Sequence, residues 1–434
     1  MERSLNAWIN QTLVGTLREN NGLWAFCYSE QWLADPLAHP LCPLLALQSE
    51  EHCDGATTRP VQWYFDNLLP EEGQRQLIAK AAHVAIEDAF ALLQHFGAES
   101  AGSLTLLPSG QKPGPGSMAA LPDAELSKRI TAMPRIPLAE QAARKMSLAG
   151  AQHKVAVIYR DDQIFEPTGS EPSTHILKPD HPDDSWPHSV INEWFVMKLA
   201  ERVGLPVPSV HRLYVPQPVY LVTRFDRFEQ EHGWARLHCI DACQLTGLSR
   251  EFKYSAGSME RIADLANQCR PAALARLRLF QWLIFNVLVG NEDAHLKNLS
   301  FLLSAKTVHL SPFYDLLCTA VYGTRAFEKD QWPARSELAW PINGAQRLLD
   351  ISVPLLVSAG ESMGIKPTTA RDNIQKLVER LGIEAPKLLD EVIHENKQLL
   401  RNRPELGPNL AGEIRLLRSI NAIVINEMTA QLAR

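Results

Sequence analysis

Asp293, Asn298 and Asp315 give this chain, in this order, the side chains that phosphoryl transfer uses. Asp293 is suited to accept or orient a hydroxyl proton, and Asn298 with Asp315 to hold Mg²⁺ against nucleotide phosphates. Asp-x-x-x-x-Asn is the spacing of a kinase catalytic loop, and a metal-binding Asp after the next hairpin completes that pattern. Any one of these residues alone is an ordinary turn or cap residue. Three of them behind an apolar helix make a site. His295 and Lys297 lie inside the same stretch, where they either neutralise charge on a transferred group or solvate the loop.

Other segments carry matching chemistry. Ser147-Leu148-Ala149-Gly150-Ala151-Gln152-His153-Lys154 is a small-residue run that leads into an apolar strand pattern. Small residues let backbone N–H groups approach phosphate oxygens, although a plain turn explains the run equally well. Lys178 ends the next strand pattern, Thr174 to Lys178, and a buried lysine there calls for an anion beside it. Glu193, near the start of the next helix, either orients that lysine or serves the helix dipole. Thr223 to Phe225 end a strand where a hinge between lobes would fall, with backbone groups for an adenine edge and Asp226 for ribose hydroxyls; an ordinary charged strand end is the competing reading. Asp241 to Leu248 and Arg250 to Tyr254 form a polar passage suited to touching substrate.

The elements that position these groups are legible from periodicity. Pro271 to Val289 reads as a helix, apolar nearly all round in its second half, with Gly290 just past its end. Such a helix is buried and delivers Asp293 from the core. Ser189 to Val203 places Ile191, Phe195, Leu199 and Val203 on one helical face, and Gly204 stops it. Residues 1–107 read as a small mixed domain, with strands at Leu5 to Ile9, Thr12 to Thr16, Trp24 to Tyr28 and Ser103 to Leu107 around a helix from Glu71 to Phe96. Pro108 to Ser117 is too rich in Pro and Gly for helix or sheet, so 108–145 is a linker with a helix at Asp123 to Ala132. Residues 146–228 form the small-lobe part with phosphate loop and hinge. Residues 229–434 form a helical lobe, with Pro354, Pro367, Pro386 and Pro404 as breaks near its end.

Composition narrows the partners. At 45% hydrophobic and 21% charged, the 434 residues are those of a globular chain, and a net charge of −6 argues against broad electrostatic binding to nucleic acid. Seven cysteines without paired spacing suggest a reducing compartment. Cys239 and Cys243 near His238 have no second ligand pair and read as buried thiols. No apolar run approaches the ~20 residues that span a bilayer, and no signal pattern opens the chain, so no membrane partner and a cytoplasmic location are expected.

Trp63 to Pro70, Ser147 to Lys154, Thr174 to Lys178, Arg224 to Arg227, Phe280 to Leu283, Asp293 to Ser300 and Pro312 to Asp315 together resemble the HipA family, the serine/threonine-kinase toxins of bacterial type II toxin–antitoxin modules. The resemblance runs along essentially the whole chain and implies an α+β, two-lobed, protein-kinase-like fold. A small mixed N-terminal domain and a mostly helical C-terminal lobe belong to it. It implies Asp293 as catalytic residue, Asn298 and Asp315 as Mg²⁺ ligands, and Ala149 to Lys154 as phosphate loop. Lys178, the hinge Thr223, Arg224 and Phe225, and Asp226, His295, Lys297, Asn298, Tyr314 and Asp315 complete the ATP-binding set.

Ser147 matches the position that family members autophosphorylate to switch themselves off. The resemblance further implies an aminoacyl-tRNA synthetase as substrate, glutamyl-tRNA synthetase first among them, with arrested translation and a dormant, persistent cell as the result. A HipB-like helix-turn-helix antitoxin is the implied partner. Some family toxins carry a basic segment that touches operator DNA; here Asn343 to Leu349 offers only Arg347, so contact with operator DNA is expected mainly through the antitoxin. Two other readings stand beside this one: a small-molecule or lipid kinase, and a non-catalytic corepressor acting with its antitoxin.

Overall fold

The computed structural model describes residues 2–133, 135–231 and 233–433. The chain condenses into two compact units. One comprises Met1–Pro179, Leu221–Lys253 and Ser300–Ser311; the other comprises Asp180–Tyr220, Tyr254–Leu299 and Pro312–Arg434.

In the first unit, a five-stranded antiparallel sheet runs in the order His52–Cys53, Leu23–Tyr28, Thr12–Asn20, Arg3–Ile9, Leu104–Pro108. The Asn21-Gly22 turn takes positive φ at both residues (52° and 78°), the backbone a tight hairpin requires. Leu5, Leu17, Phe26, Phe65 and Phe90 are fully buried in this unit. The stretch expected as one helix from Glu71 to Phe96 is two, Glu72–Ala82 and Ala89–Phe96. His83 takes a left-handed φ of 56° at the end of the first, and Asp88 caps the second by accepting from Ala91 N. Helical periodicity survives such a break because both pieces bury an apolar face.

A second sheet in this unit places Val155–Arg160 between Gln163–Thr168 and His175–Pro179, with Ser117–Ala120 on the outer side of Gln163–Thr168. Lys178 lies on the His175–Pro179 strand. His238–Asp241, Ser300–Leu303 and Val308–Leu310 make a third, three-stranded sheet.

The second unit is mostly helical. Ser189–Val203 is buried along most of its length and ends at Gly204, φ 95°. Ala272–Val289 follows Pro271, which sits one position earlier than expected, as the N-cap. Among the described residues this is the helix long and apolar enough to cross a membrane, and 61% of its span is buried inside the protein. Gly290 at its C-terminus adopts φ 64°, and a Cβ there would lie 2.7 Å from Val424 Cγ1 and 3.0 Å from Ala320 Cβ. Only glycine suits both the turn and the close packing.

Pro354, Pro367 and Pro404 open helical segments, whereas Pro386 is inside the 36-residue helix Pro367–Asn402 and does not break it. The carbonyl that Pro386 leaves unbonded belongs to exposed Gly382, four residues earlier, where water can serve it. The buried stripe Leu381, Ala385, Leu388 and Val392 continues past the proline.

Candidate active site

In the second unit, a relay of side chains leads from the core helix to Asp293. Asn286 Nδ2 donates to Trp282 O (2.8 Å), Asn291 Nδ2 donates to Asn286 Oδ1 (2.7 Å), and Asp293 N donates to Asn291 Oδ1 (3.0 Å). Both asparagines are buried, so the first two bonds are made away from water, where breaking one leaves an unsatisfied group. Asn298 Nδ2 donates to Asp293 O (2.9 Å) and Trp340 Nε1 to Ala294 O (3.0 Å), fixing the loop backbone from two more directions. The Tyr254 hydroxyl donates to Asp293 Oδ1 at 2.5 Å, and its ring stands edge-on to His295, centroids 5.0 Å apart. Tyr314 Oη donates to Lys297 O (2.9 Å).

Asp315 has φ 58°, a left-handed conformation that Asp tolerates better than most residues and that recurs at functional sites. Cys318, three residues on, is hooked to the Ser189–Val203 helix, because Asn192 accepts from Cys318 N and donates to Cys318 O, both at 2.8 Å. The same helix presents buried Glu193. Burial pushes the Tyr220 hydroxyl well above its ordinary pKa, and the carboxylates of Glu193 and Asp315 add to the effect.

The oxygen donors suit a hard cation. Asn298 spends its amide nitrogen on Asp293 O, so its carboxamide oxygen is the atom it could offer a cation, and Asp315 could offer a carboxylate. Among the described residues no three His, Cys, Asp or Glu side chains gather into a metal cage. A short oxygen set completed by phosphate and water is how Mg²⁺ is held.

In the first unit, the segment from Met146 to Lys154 is clasped by the Trp63 to Glu71 stretch. Ser147 is wholly buried; its Oγ donates to Leu68 O and its N to Glu99 O, both at 2.7 Å. Glu71 N donates to Gly150 O (3.2 Å), and Gly150 has φ 103°. Lys154 Nζ donates to Ala149 O at 2.6 Å, closing the loop on itself. Ala149, Ala151 and Gln152 lie within that loop, and His153 is buried at its end. Lys178 is buried at 7% exposure. It and Glu193 belong to different units.

At the expected hinge, Arg224 N donates to Thr174 O (2.9 Å), the Thr223 hydroxyl meets His175 Nε2 (3.2 Å), and Phe225 is half-buried. The side chains of Arg224 and Asp226 turn inward. Both Asp226 oxygens are engaged by Arg224, at 3.0 and 2.7 Å, and Arg227 adds a contact at 2.9 Å. The carboxylate read from sequence as a ribose ligand is therefore part of a buried ion-pair network. Burial alone would raise its pKa, but Arg224 and Arg227 outweigh that and hold it below the usual carboxylate range.

Glu99 is the centre of this network. Its carboxylate meets Arg144 at 2.5 Å, Arg224, Arg227 and Arg236 each at 3.2 Å, and Ser173 Oγ at 2.8 Å. Sequence reading had no signal for Glu99, because its partners lie 45 to 137 positions away. Trp340 escaped for the same reason, and Tyr254, read only as the end of a polar passage suited to touching substrate, was not tied to Asp293.

A carboxylate on a braced loop behind a buried helix, an asparagine five residues on and a second carboxylate past a hairpin define an enzyme of the protein-kinase class. Residues 5–107 match the model of the HipA N-terminal domain, and residues 146–384 that of the HipA-like C-terminal domain. The chain belongs to the HipA family of serine/threonine-protein kinase toxins. It is 37% identical over 335 residues to "Putative kinase Y4mE" of Sinorhizobium fredii, covering 74% of this chain and 78% of that protein. It is 28% identical over 389 residues to the serine/threonine-protein kinase toxin HipA of Shewanella oneidensis, covering 85% and 84%. The fold matches HipA in the solved Shewanella oneidensis complex of HipA, HipB and operator DNA, with TM-score 0.75, 24% identity and coverage of 98% and 99%.

Proposed function

We propose that this chain is an ATP- and Mg²⁺-dependent protein serine/threonine kinase acting as the toxin of a type II module. The observation that carries the reading is the loop that holds Asp293 by its own backbone and ties Asn298 to it. Asp293 takes the proton of an acceptor hydroxyl as that oxygen bonds to the γ-phosphorus and the bond to the leaving ADP breaks. Asn298 and Asp315 would hold Mg²⁺, which neutralises phosphate charge when bound. Lys178, His295 and Lys297 are the cationic or polar groups assigned to the phosphates, Ala149 to Lys154 the loop over them, and Thr223 to Phe225 the backbone edge for adenine, with Tyr314 completing the nucleotide set. Asp226 supports the hinge from within.

The substrate in this reading is an aminoacyl-tRNA synthetase, with glutamyl-tRNA synthetase first to be tried, and the consequence is arrested translation and persistence in the cytoplasm. A HipB-like antitoxin is the expected partner. Operator contact is expected mainly through that partner, since Asn343 to Leu349 offers Arg347 as its one basic residue. Ser147 is the expected self-phosphorylation site. Buried and bonded to Leu68 O, it is out of reach of a phosphoryl donor until the loop leaves. Once modified it has lost the proton it donates and gained nearly two negative charges, so the loop cannot return.

The test is phosphosite mapping of the purified chain after incubation with Mg²⁺ and ATP, beside Asp293→Ala. One phosphate at Ser147 in the wild type and none in a folded, ATP-binding Asp293→Ala variant is expected. Bound ATP with no phosphate on the chain or on any synthetase would overturn the kinase reading in favour of a corepressor. Phosphate passing only to sugars, lipids or aminoglycosides would move the substrate to the small-molecule class.

A further inference from the structure

Asp293 can take a proton from an acceptor only after accepting a hydrogen bond from that acceptor's hydroxyl. In this structure such a bond is already made, by a hydroxyl of the chain itself. The Tyr254 phenol donates to Asp293 Oδ1 at 2.5 Å, a charge-assisted contact of the strong kind.

Tyr254 is tied to the loop it serves. Its ring stands edge-on to His295, two residues from Asp293. Its carbonyl accepts from Gly257 N at 2.9 Å, and Gly257 packs so close beneath Trp340 that a Cβ there would fall 2.5 Å from the indole. Trp340 in turn donates to Ala294 O. The backbone of Tyr254 is thus held by the same tryptophan that holds the catalytic loop. The residue is 38% exposed, so solvent and an incoming hydroxyl can reach the phenol.

Resting on the kinase reading above, we infer that Tyr254 is an acceptor-selecting residue. Its hydroxyl occupies the acceptor position at Asp293 until a protein hydroxyl, brought by its own binding energy, displaces it. Water has no such binding energy and stays excluded. Without the phenol, water takes the position: Asp293 accepts a proton from it, and the water oxygen bonds to the γ-phosphorus. The bond to the bridging oxygen then breaks, giving ADP and inorganic phosphate. The acceptor hydroxyl that normally displaces Tyr254 instead yields a phosphoester and ADP.

The experiment compares wild type, Tyr254→Phe, Tyr254→Ala and Asp293→Ala, each as the full chain with Mg²⁺ and ATP. Initial release of inorganic phosphate is measured with no added protein acceptor, and incorporation into the chain's own Ser147 is followed in parallel. Tyr254→Phe keeps the ring on His295 and removes only the hydroxyl. Losing a hydrogen bond to a charged group should raise phosphate release about tenfold. Tyr254→Ala should show the same gain, and Asp293→Ala none. A residue that merely oriented Asp293 would show the opposite, a loss, in both Tyr254 variants.

Phosphate release at or below the wild-type rate in Tyr254→Phe overturns the inference, and so does phosphate appearing on Tyr254 itself. If wild type labels Ser147 and only the release prediction fails, the kinase reading stands and this inference falls. If no folded form transfers phosphate to serine or to water, the kinase reading falls with it.

Discussion

Replacing Glu99 by Gln should cost the first unit more than any surface change can. The substitution keeps the shape of the side chain and removes its charge, leaving Arg144, Arg224, Arg227 and Arg236 with the Asp226 carboxylate as remaining counter-charge in the cluster. These guanidiniums are almost fully buried, Arg227 wholly so, and solvent cannot make up the loss. Burial would raise the Glu99 pKa, but Arg144, then Arg236, Arg227 and Arg224, pull it far below the ordinary value of 4.5. The folded chain therefore binds Glu99's proton much more weakly than the unfolded chain. Its stabilisation is complete above about pH 4.5 and is lost only as the pH falls towards the folded value.

Breaking a buried ion network by removing one partner costs about 3–5 kcal/mol. For a unit of this size that is roughly 6–20 °C in melting temperature. The assay is calorimetry at pH 7, with hydrogen–deuterium exchange over residues 99–103, 144–154 and 224–227 to locate the loss. Glu391→Gln, which breaks an exposed pair with Arg202, is the control and should shift stability by less than ~0.5 kcal/mol. A Glu99→Gln melting curve within about 2 °C of wild type would refute the view that Glu99 organises the segments around Arg144 and Arg224 to Arg227.

Asp180 offers a pH test in the second unit: burial, with Glu413 nearby, pushes its carboxyl up to about 7, against an ordinary 3.8. The folded chain holds that proton between these values, so stability falls as pH rises through the window. Asp180→Asn should gain roughly 2–4 kcal/mol over wild type at pH 8, shrinking towards none near pH 4 in urea titrations; an equal gain at both pH values would sink the assignment. Gly150→Ala forces an L side chain onto φ 103°, at a cost of about 1–3 kcal/mol of local strain. It should weaken ATP binding several-fold by calorimetric titration while the rest of the unit melts as before, and unchanged affinity would remove Gly150 from the phosphate loop.

What the sequence disclosed follows from what is local. The Ser189–Val203 and Ala272–Val289 helices, the Gly204 and Gly290 stops and the hairpin after Asn298 lie in periodicity and punctuation, and the structure places them within a residue or so of the reading. The Asp293–Asn298 bond joins residues five apart, which a motif can carry. The Tyr254–Asp293 bond joins residues 39 apart and the Ser147–Leu68 bond residues 79 apart. No pattern within a window of the chain encodes which of many tyrosines or carbonyls will arrive there. The ion pairs of Asp226 were hidden for a related reason: its neighbours in sequence suit a ligand, and only the fold brings Arg224 and Arg227 onto its oxygens. The break at His83 is a single left-handed residue between two segments of like pattern, and His carries no strong signal for it.

The two segments matched by separate family models, 5–107 and 146–384, do not correspond to the two bodies into which the chain packs. Glu99 and Leu68 come from the first segment, and the groups they bind come from beyond it. Heredity and folding thus cut this molecule at different places. A chain trimmed to its catalytic segment alone would keep Asp293 and lose the main-chain carbonyl that seats Ser147 and the carboxylate that quiets four arginines. Gene fusion or shuffling at that seam would have to carry both halves together for Ser147 and the buried arginines to keep their partners.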